Sequence, residues 1–269
     1  MKLSEESYKI SQKIWSSTDV ILLVFAGSAA EFATIKAVDW LFYTNKLPSA
    51  PIDRLFDTAR FAQWLFFSTP SAAAHTLETI NKVHSSVERS RGMNIPNWAY
   101  KDVLYMLIDY SERGYKIVYG EMTSKEKQAY FEAAMAVGKG MHLEDLPETY
   151  EAYLADRKLS LERDYELSMF TSELFNRYKQ SLGKIRYGML RMIQANIVPA
   201  ELNKILKLKA NPAIDILLKW YHKLPGGGEK LKFMHDVLLP RKYTEQLKNL
   251  GKIELTSFNA HSKVRSAMV

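Results

Sequence analysis

Apolar residues recur along most of this chain at steps of three and four, and no stretch sustains the every-second-residue alternation of a half-buried strand. That periodicity restricts the chain to helices packed on helices. The line Ala73, Leu77, Ile80, His84, Val87 advances by four, three, four and three, so all five side chains share one helix face. Glycines and prolines fall between such segments. Thr69 before Pro70 reads as a cap followed by a proline in the first turn. Thr123-Ser124-Lys125-Glu126 has the spacing of a capping box and opens a helix through about Gly138. Lys46-Leu47-Pro48-Ser49-Ala50-Pro51 reads as a loop, Trp98 to Tyr119 as a helix, and Leu146-Pro147-Glu148 as the start of the next one. The expected fold is all-α, a single globular helical domain around one apolar pocket.

A chain of 269 residues can bury a substantial core and still leave room for a cavity. It has no cysteine, which excludes disulfides, thiolate zinc sites, iron–sulfur clusters and cysteine nucleophiles. Any metal must be held by His, Asp, Glu, Lys or Tyr, or arrive inside an organic cofactor. The net charge of +7 is concentrated in residues 201–269, with thirteen Lys/Arg against six Asp/Glu. Those lysines are spread among apolar residues, which favours a solvated end over a nucleic-acid footprint, although a basic end can also touch an anionic membrane surface. The boundaries expected are a helical domain over 1–223 and a basic C-terminal segment over 224–269 that can pack on the same domain. Leu224-Pro225-Gly226-Gly227-Gly228 is the flexible junction.

The apolar run from Val20 to Ala30 is shorter than the about 20 residues that a spanning helix needs. It reads as a buried helix, with no signal peptide and a cytoplasmic location.

Three constellations could carry chemistry. His84 points inward, where imidazole either donates to a backbone carbonyl or ligates a metal, while His75 falls on the polar side with Lys82. Arg54, Thr58, Phe61 and Leu65 share a face of the preceding helix. A guanidinium on an apolar line needs an anion, from a ligand or from a neighbouring acid. Lys36 and Asp39 interrupt an apolar helix three residues apart and could simply pair with each other. Asp109 stands similarly within Met106-Leu107-Ile108-Asp109-Tyr110. No Gly-rich phosphate loop, His-Glu-x-x-His, Gly-x-Ser-x-Gly or paired helical Glu-x-x-His is present.

Taken in order, Arg54-Leu55-Phe56-Asp57-Thr58, Val83-His84-Ser85-Ser86-Val87, Asp109, Tyr119-Gly120, Val137-Gly138 and Leu146-Pro147-Glu148-Thr149-Tyr150 resemble the latex-clearing-protein (rubber oxygenase) and MpaB-type oxygenase family over residues 25–157. The resemblance implies a globin-like helical packing around haem b, with iron as the metal. It implies oxidative cleavage, with O2, of carbon–carbon double bonds in an apolar isoprenoid or terpenoid substrate. His84 matches the family's proximal iron ligand, and Arg54 with Thr58 its Arg-x-x-x-Thr pair beside the cofactor. Where many members carry His-Pro, this chain has Ile35-Lys36-Ala37-Val38. Where many carry Trp-Val-His it has Asp102-Val103-Leu104, and Asp57 stands at the position of a lysine found in one branch. Asp39 and Lys36 are then the candidates for a catalytic base that takes an allylic proton. Two other readings compete. One is a non-catalytic haem or lipid carrier. The other is an interaction module working through the basic C-terminal region on nucleic acid or membrane.

Overall fold

The computed structural model describes residues 1–45, 49–230, 232 and 235–250. Among them are thirteen α-helices and no strand, so the fold is all-α. The one bridge of β type pairs Ile35 with Tyr165, where Lys36 N donates to Asp164 O (2.9 Å) and Glu166 N to Thr34 O (2.8 Å). The chain runs through α1 (Glu5–Ser16), α2 (Thr18–Phe32), α3 (Val38–Tyr43), α4 (Pro51–Phe67), α5 (Pro70–Arg91), α6 (Asn97–Tyr119) and α7 (Ser124–Gly140). It continues through α8 (Tyr150–Arg163), α9 (Met169–Ile197), α10 (Ala200–Leu206), α11 (Pro212–Trp220), α12 (His235–Leu238) and α13 (Arg241–Leu250).

Local chemistry starts the helices where expected. Thr69 caps α5 by accepting from Ala72 N at 3.3 Å, with Pro70 in the first turn, and Gly92 ends that helix in the left-handed conformation (φ 71°). Thr123 and Glu126 form the full capping box of α7. Leu146-Pro147-Glu148 does not open α8. That helix begins three residues later, at Tyr150, because the Thr149 side chain accepts from Ala152 N (3.1 Å) and supplies the cap. Residues 46–48 of the expected loop lie outside the described residues, and Pro51 occupies the first turn of α4.

α2 is the axis of the molecule. Twelve of its 15 residues are buried, which is why it is apolar on every side. Its closest neighbour is α6. A Cβ at Gly27 would sit 2.2 Å from the Tyr110 ring, and one at Gly114 would sit 3.1 Å from Val20. The two backbones can therefore approach only because each helix presents a glycine there. No single helix among the described residues is long and apolar enough to cross a membrane. Only the bent pair α1–α2, at 79°, passes that test jointly.

The junction expected to be flexible is pinned by its last glycine. Gly228 O accepts from Asp19 N (3.0 Å) and Ser17 Oγ (3.0 Å), and Lys230 Nζ donates to the carbonyls of Val118 (2.7 Å) and Tyr221 (3.0 Å). The described part of 224–269 packs on the body, with Tyr243 stacked on Phe56 at 5.8 Å and Lys242 paired with Asp53 at 3.0 Å. Residues 251–269 lie outside the described residues.

Candidate functional site

Helices α3 to α7, with Trp15 of α1 and Phe32 of α2, enclose an apolar cavity of about 350 Å³, within the size range of ligand and cofactor pockets. Each helix presents the face that its periodicity predicts. From α5 come Ile80, Val83, His84 and Val87, and from α4 come Arg54, Thr58, Phe61 and Leu65. α6 contributes Tyr100, Val103, Leu104, Leu107 and Ile108, spaced as one helical stripe. The structure thus brings His84, Arg54 and Thr58 into one cavity, although 26 positions separate Thr58 from His84 in the chain.

Among the described residues His84 is the only histidine on that wall. Among the described residues neither ring nitrogen has a hydrogen-bond partner, and the imidazole packs beside the Tyr100 ring at 5.0 Å. Burial pushes its pKa down to about 4, with Arg54 acting in the same direction and Glu88 opposing both. At neutral pH it is therefore an uncharged imidazole with a lone pair facing apolar surroundings. Tyr100 is fixed from behind, since its hydroxyl donates to Glu88 Oε1 (3.2 Å), which also accepts from Ile95 N (2.9 Å). Sequence reasoning missed Tyr100, although its place on the Val103, Leu107 stripe was a usable signal.

Arg54 lines the cavity while its guanidinium lies 3.5 Å from Asp57, so the neighbouring-acid explanation for its place is realised and access to the cavity is kept. Asp57 is shared with Arg60 at 2.8 Å, and burial nevertheless holds its carboxyl above the usual range. Thr58 donates its hydroxyl back to Arg54 O at 3.0 Å, which leaves oxygen lone pairs available. His75 stands on the outer side of α5, 4.0 Å from Glu78.

Lys36 and Asp39 are placed differently. The Lys36 side chain is exposed, donates to Arg163 O at 2.6 Å and faces Glu166 at 3.9 Å. Asp39 pairs with Arg91 at 2.6 Å, and that guanidinium lies 4.0 Å over the Trp40 ring. The two do not pair with each other, and neither lines the cavity. Asp109 belongs to a separate buried cluster, described below.

No three His, Asp or Glu side chains among the described residues converge as metal ligands. A metal in this cavity would depend on donors beyond a protein ligand set. Neutral imidazole, apolar walls and one cationic side chain fit a macrocyclic cofactor that carries its own metal donors.

A second apolar cavity, of about 260 Å³, lies between α2, α4, α9, α11 and α12. The periodicity of single helices led to one pocket. Among the described residues the structure has two, one along α2 from Asp19 to Ala29 and one that α2 reaches only at Phe32.

No curated protein and no solved structure matches this chain. A family model does, described as "ER-bound oxygenase mpaB/B'/Rubber oxygenase, catalytic domain", and it matches residues 21–224. The match extends well beyond residues 25–157 and takes in every helix that lines the first cavity apart from α1, as well as α9 to α11. With three-quarters of its length covered and His84, Arg54 and Thr58 gathered on one cavity wall, the chain belongs to the mpaB/rubber oxygenase catalytic-domain family.

Proposed function

We propose that this protein is a haem b-dependent oxygenase that uses O2 to oxidise, by cleavage, an apolar alkene of isoprenoid type. The observation that carries the reading is the His84 imidazole. It is neutral at physiological pH and without a hydrogen-bond partner, and it stands on the wall of an apolar cavity in an oxygenase family. The imidazole is half-buried, and a ring nitrogen that no protein group engages is open to a ligand in the cavity.

In this reading a ring nitrogen of His84 would hold the iron, and Arg54 and Thr58 would hold a polar group of the cofactor, a guanidinium being suited to a carboxylate. Haem, when bound, supplies the redox chemistry with dioxygen. The chain's own residues do the rest. Tyr100 packs against the imidazole and limits its rotation, because its own hydroxyl is anchored on Glu88. The Ile80, Val87, Val103 and Leu107 surfaces exclude water and hold an alkene chain by burial. Cleavage of a carbon–carbon double bond by one O2 balances with one oxygen atom in each of two carbonyl products.

Among the described residues the cavity wall carries no carboxylate and no lysine. A base role for Asp39 requires its release from Arg91, and one for Lys36 requires its release from Arg163 O. This lack favours the second reading, a haem or lipid carrier that keeps the cavity without the chemistry.

The test is an absorption titration of the purified protein with hemin, beside His84→Ala, followed by oxygen uptake with squalene or farnesol. We expect a sharp Soret band in the parent that His84→Ala loses, and oxygen consumption that depends on the alkene. A Soret band without oxygen uptake selects the carrier. No Soret band in the parent would end the haem reading.

A further inference from the structure

The second cavity is built differently from the first and takes no part in the proposed oxygenase chemistry. Its wall is mostly aliphatic and thioether, with Leu22 and Ala26 from α2 and Met189, Leu190 and Ile193 from α9. Methionine and leucine surfaces of this kind adapt to a flexible chain. α9 is broken at Gly183, whose φ of 78° and ψ of 165° lie outside the helical range. Both arms of the broken helix line the cavity, Tyr178 and Leu182 from one and Arg186 to Ile193 from the other.

Two polar groups on this wall have capacity left for a ligand, one buried and one, Arg186, half-exposed at the rim. Tyr178 is fully buried and its hydroxyl has no hydrogen-bond partner among the described residues. Arg186 donates Nε to Val237 O (3.0 Å) and Nη2 to Asp236 O (3.1 Å), yet forms no ion pair with any described acid. The acid on the same wall, Asp19, is already engaged by the Tyr221 hydroxyl (2.9 Å) and Lys230 N (2.6 Å).

The outer wall is thin. Ile214, Leu217 and Leu218 come from α11, a nine-residue helix with no fully buried residue. Its Ile216, Leu217 and Trp220 are 59%, 54% and 57% exposed. An element anchored by so little buried surface opens at low cost and gives an apolar molecule a route inward.

We infer that this cavity is a binding site for a linear amphiphile, an alkyl chain ending in a carboxylate. The chain occupies the space between α2 and α9, the carboxylate takes the Arg186 guanidinium, and α11 is the door. The site is independent of the oxygenase reading, because none of its residues lines the His84 cavity.

The test is calorimetric titration of the full chain, without hemin, with dodecanoate and with dodecanol, both below their aggregation concentrations. We expect saturable binding of one dodecanoate at this site and weaker binding of dodecanol. Arg186→Met should weaken dodecanoate about tenfold while leaving dodecanol unchanged, as loss of a charge-assisted hydrogen bond does, and Arg186→Lys should recover part of that loss. Leu190→Trp, which fills the cavity, should abolish binding, whereas Val87→Trp in the other cavity should not. Circular dichroism checks each fold, and should Leu190→Trp fail to fold, the Arg186 pair decides alone. Absence of dodecanoate binding, indifference to Arg186→Met, or loss with Val87→Trp in place of Leu190→Trp would each overturn the inference.

Discussion

Two buried polar regions of this molecule handle charge in opposite ways. Around Arg157, on α8, the buried guanidinium is met by opposite charge and by a hydroxyl. Its guanidinium donates to Glu31 from α2, to Asp109 Oδ2 (3.2 Å) and to the Tyr165 hydroxyl (3.3 Å). Tyr165 in turn donates to Glu31 Oε2 at 2.8 Å, and Arg113 closes on the other oxygen of Asp109 at 2.5 Å. Around His84 the protein leaves an imidazole without a partner. The first arrangement ties α2, α6 and α8 together and uses the Arg157 guanidinium for that purpose. The second has little to contribute to stability and is open to one. Polar burial by itself therefore does not mark a site in this fold; an unpartnered polar group on the wall of a cavity is the better guide.

The sharpest way to break that comparison is at Arg157. Arg157→Leu leaves Glu31 as a buried charge without a counter-ion and Asp109 with Arg113 alone, and should cost about 3–5 kcal/mol in chemical denaturation. A loss below about 1 kcal/mol would mean that the cluster is as dispensable as surface pairs are.

The cluster also holds one acid more than its cations neutralise. Asp102, buried on α6, has its carboxyl pushed up to about 7 by burial and by Asp164 nearby, and its Oδ2 has no partner. A carboxyl whose folded pKa is raised favours folding while protonated. That contribution is complete below the unfolded value of 3.8 and is lost as pH rises through about 7. Asp102→Asn stays neutral throughout. It should match the parent at pH 4 and exceed its stability at pH 8 by roughly 2–3 kcal/mol. Equal stabilities at pH 8 would show that Asp102 is ionised at no cost.

His84 has the opposite sign. Its folded pKa of about 4 lies below the ordinary 6.5, so the ligand-free protein loses stability as pH falls from about 6.5 to 4, where the unfolded chain takes up the proton first. His84→Phe should abolish that loss, about 1–2 kcal/mol in the unfolding midpoint followed by circular dichroism. If parent and variant fall together over this window, the imidazole is not desolvated as described. Thr58→Val is the mildest change, since its hydroxyl bonds only to the helix carbonyl of Arg54. It should alter stability by less than about 1 kcal/mol while weakening hemin retention, which a hemin-transfer assay reads.

Helix faces were readable because a period of three and four is local. The Ile80, His84, Val87 line and the Arg54, Thr58, Phe61, Leu65 line both reach the cavity that each implied. Caps such as Thr69 and Thr123 were readable for the same reason. The placement of Lys36 and Asp39 was not, because their partners, Arg163 O and Arg91, lie 127 and 52 residues away. Nor was the Glu31–Arg157 pair, separated by 126 residues.

By itself, then, the sequence determined an all-α chain without cysteine chemistry, the inward face of each helix, the ordered motifs of the oxygenase family and the candidate His84. Each of these depends on spacing within one segment or on residue type. Tertiary structure alone decided which faces meet. It placed Gly27 against Tyr110 so that α2 and α6 could close, broke α9 at Gly183, and left two cavities in place of one. The physical reason is that a helix's own pattern says which side must leave water, whereas its partner is chosen by fit and by charges distant in the chain.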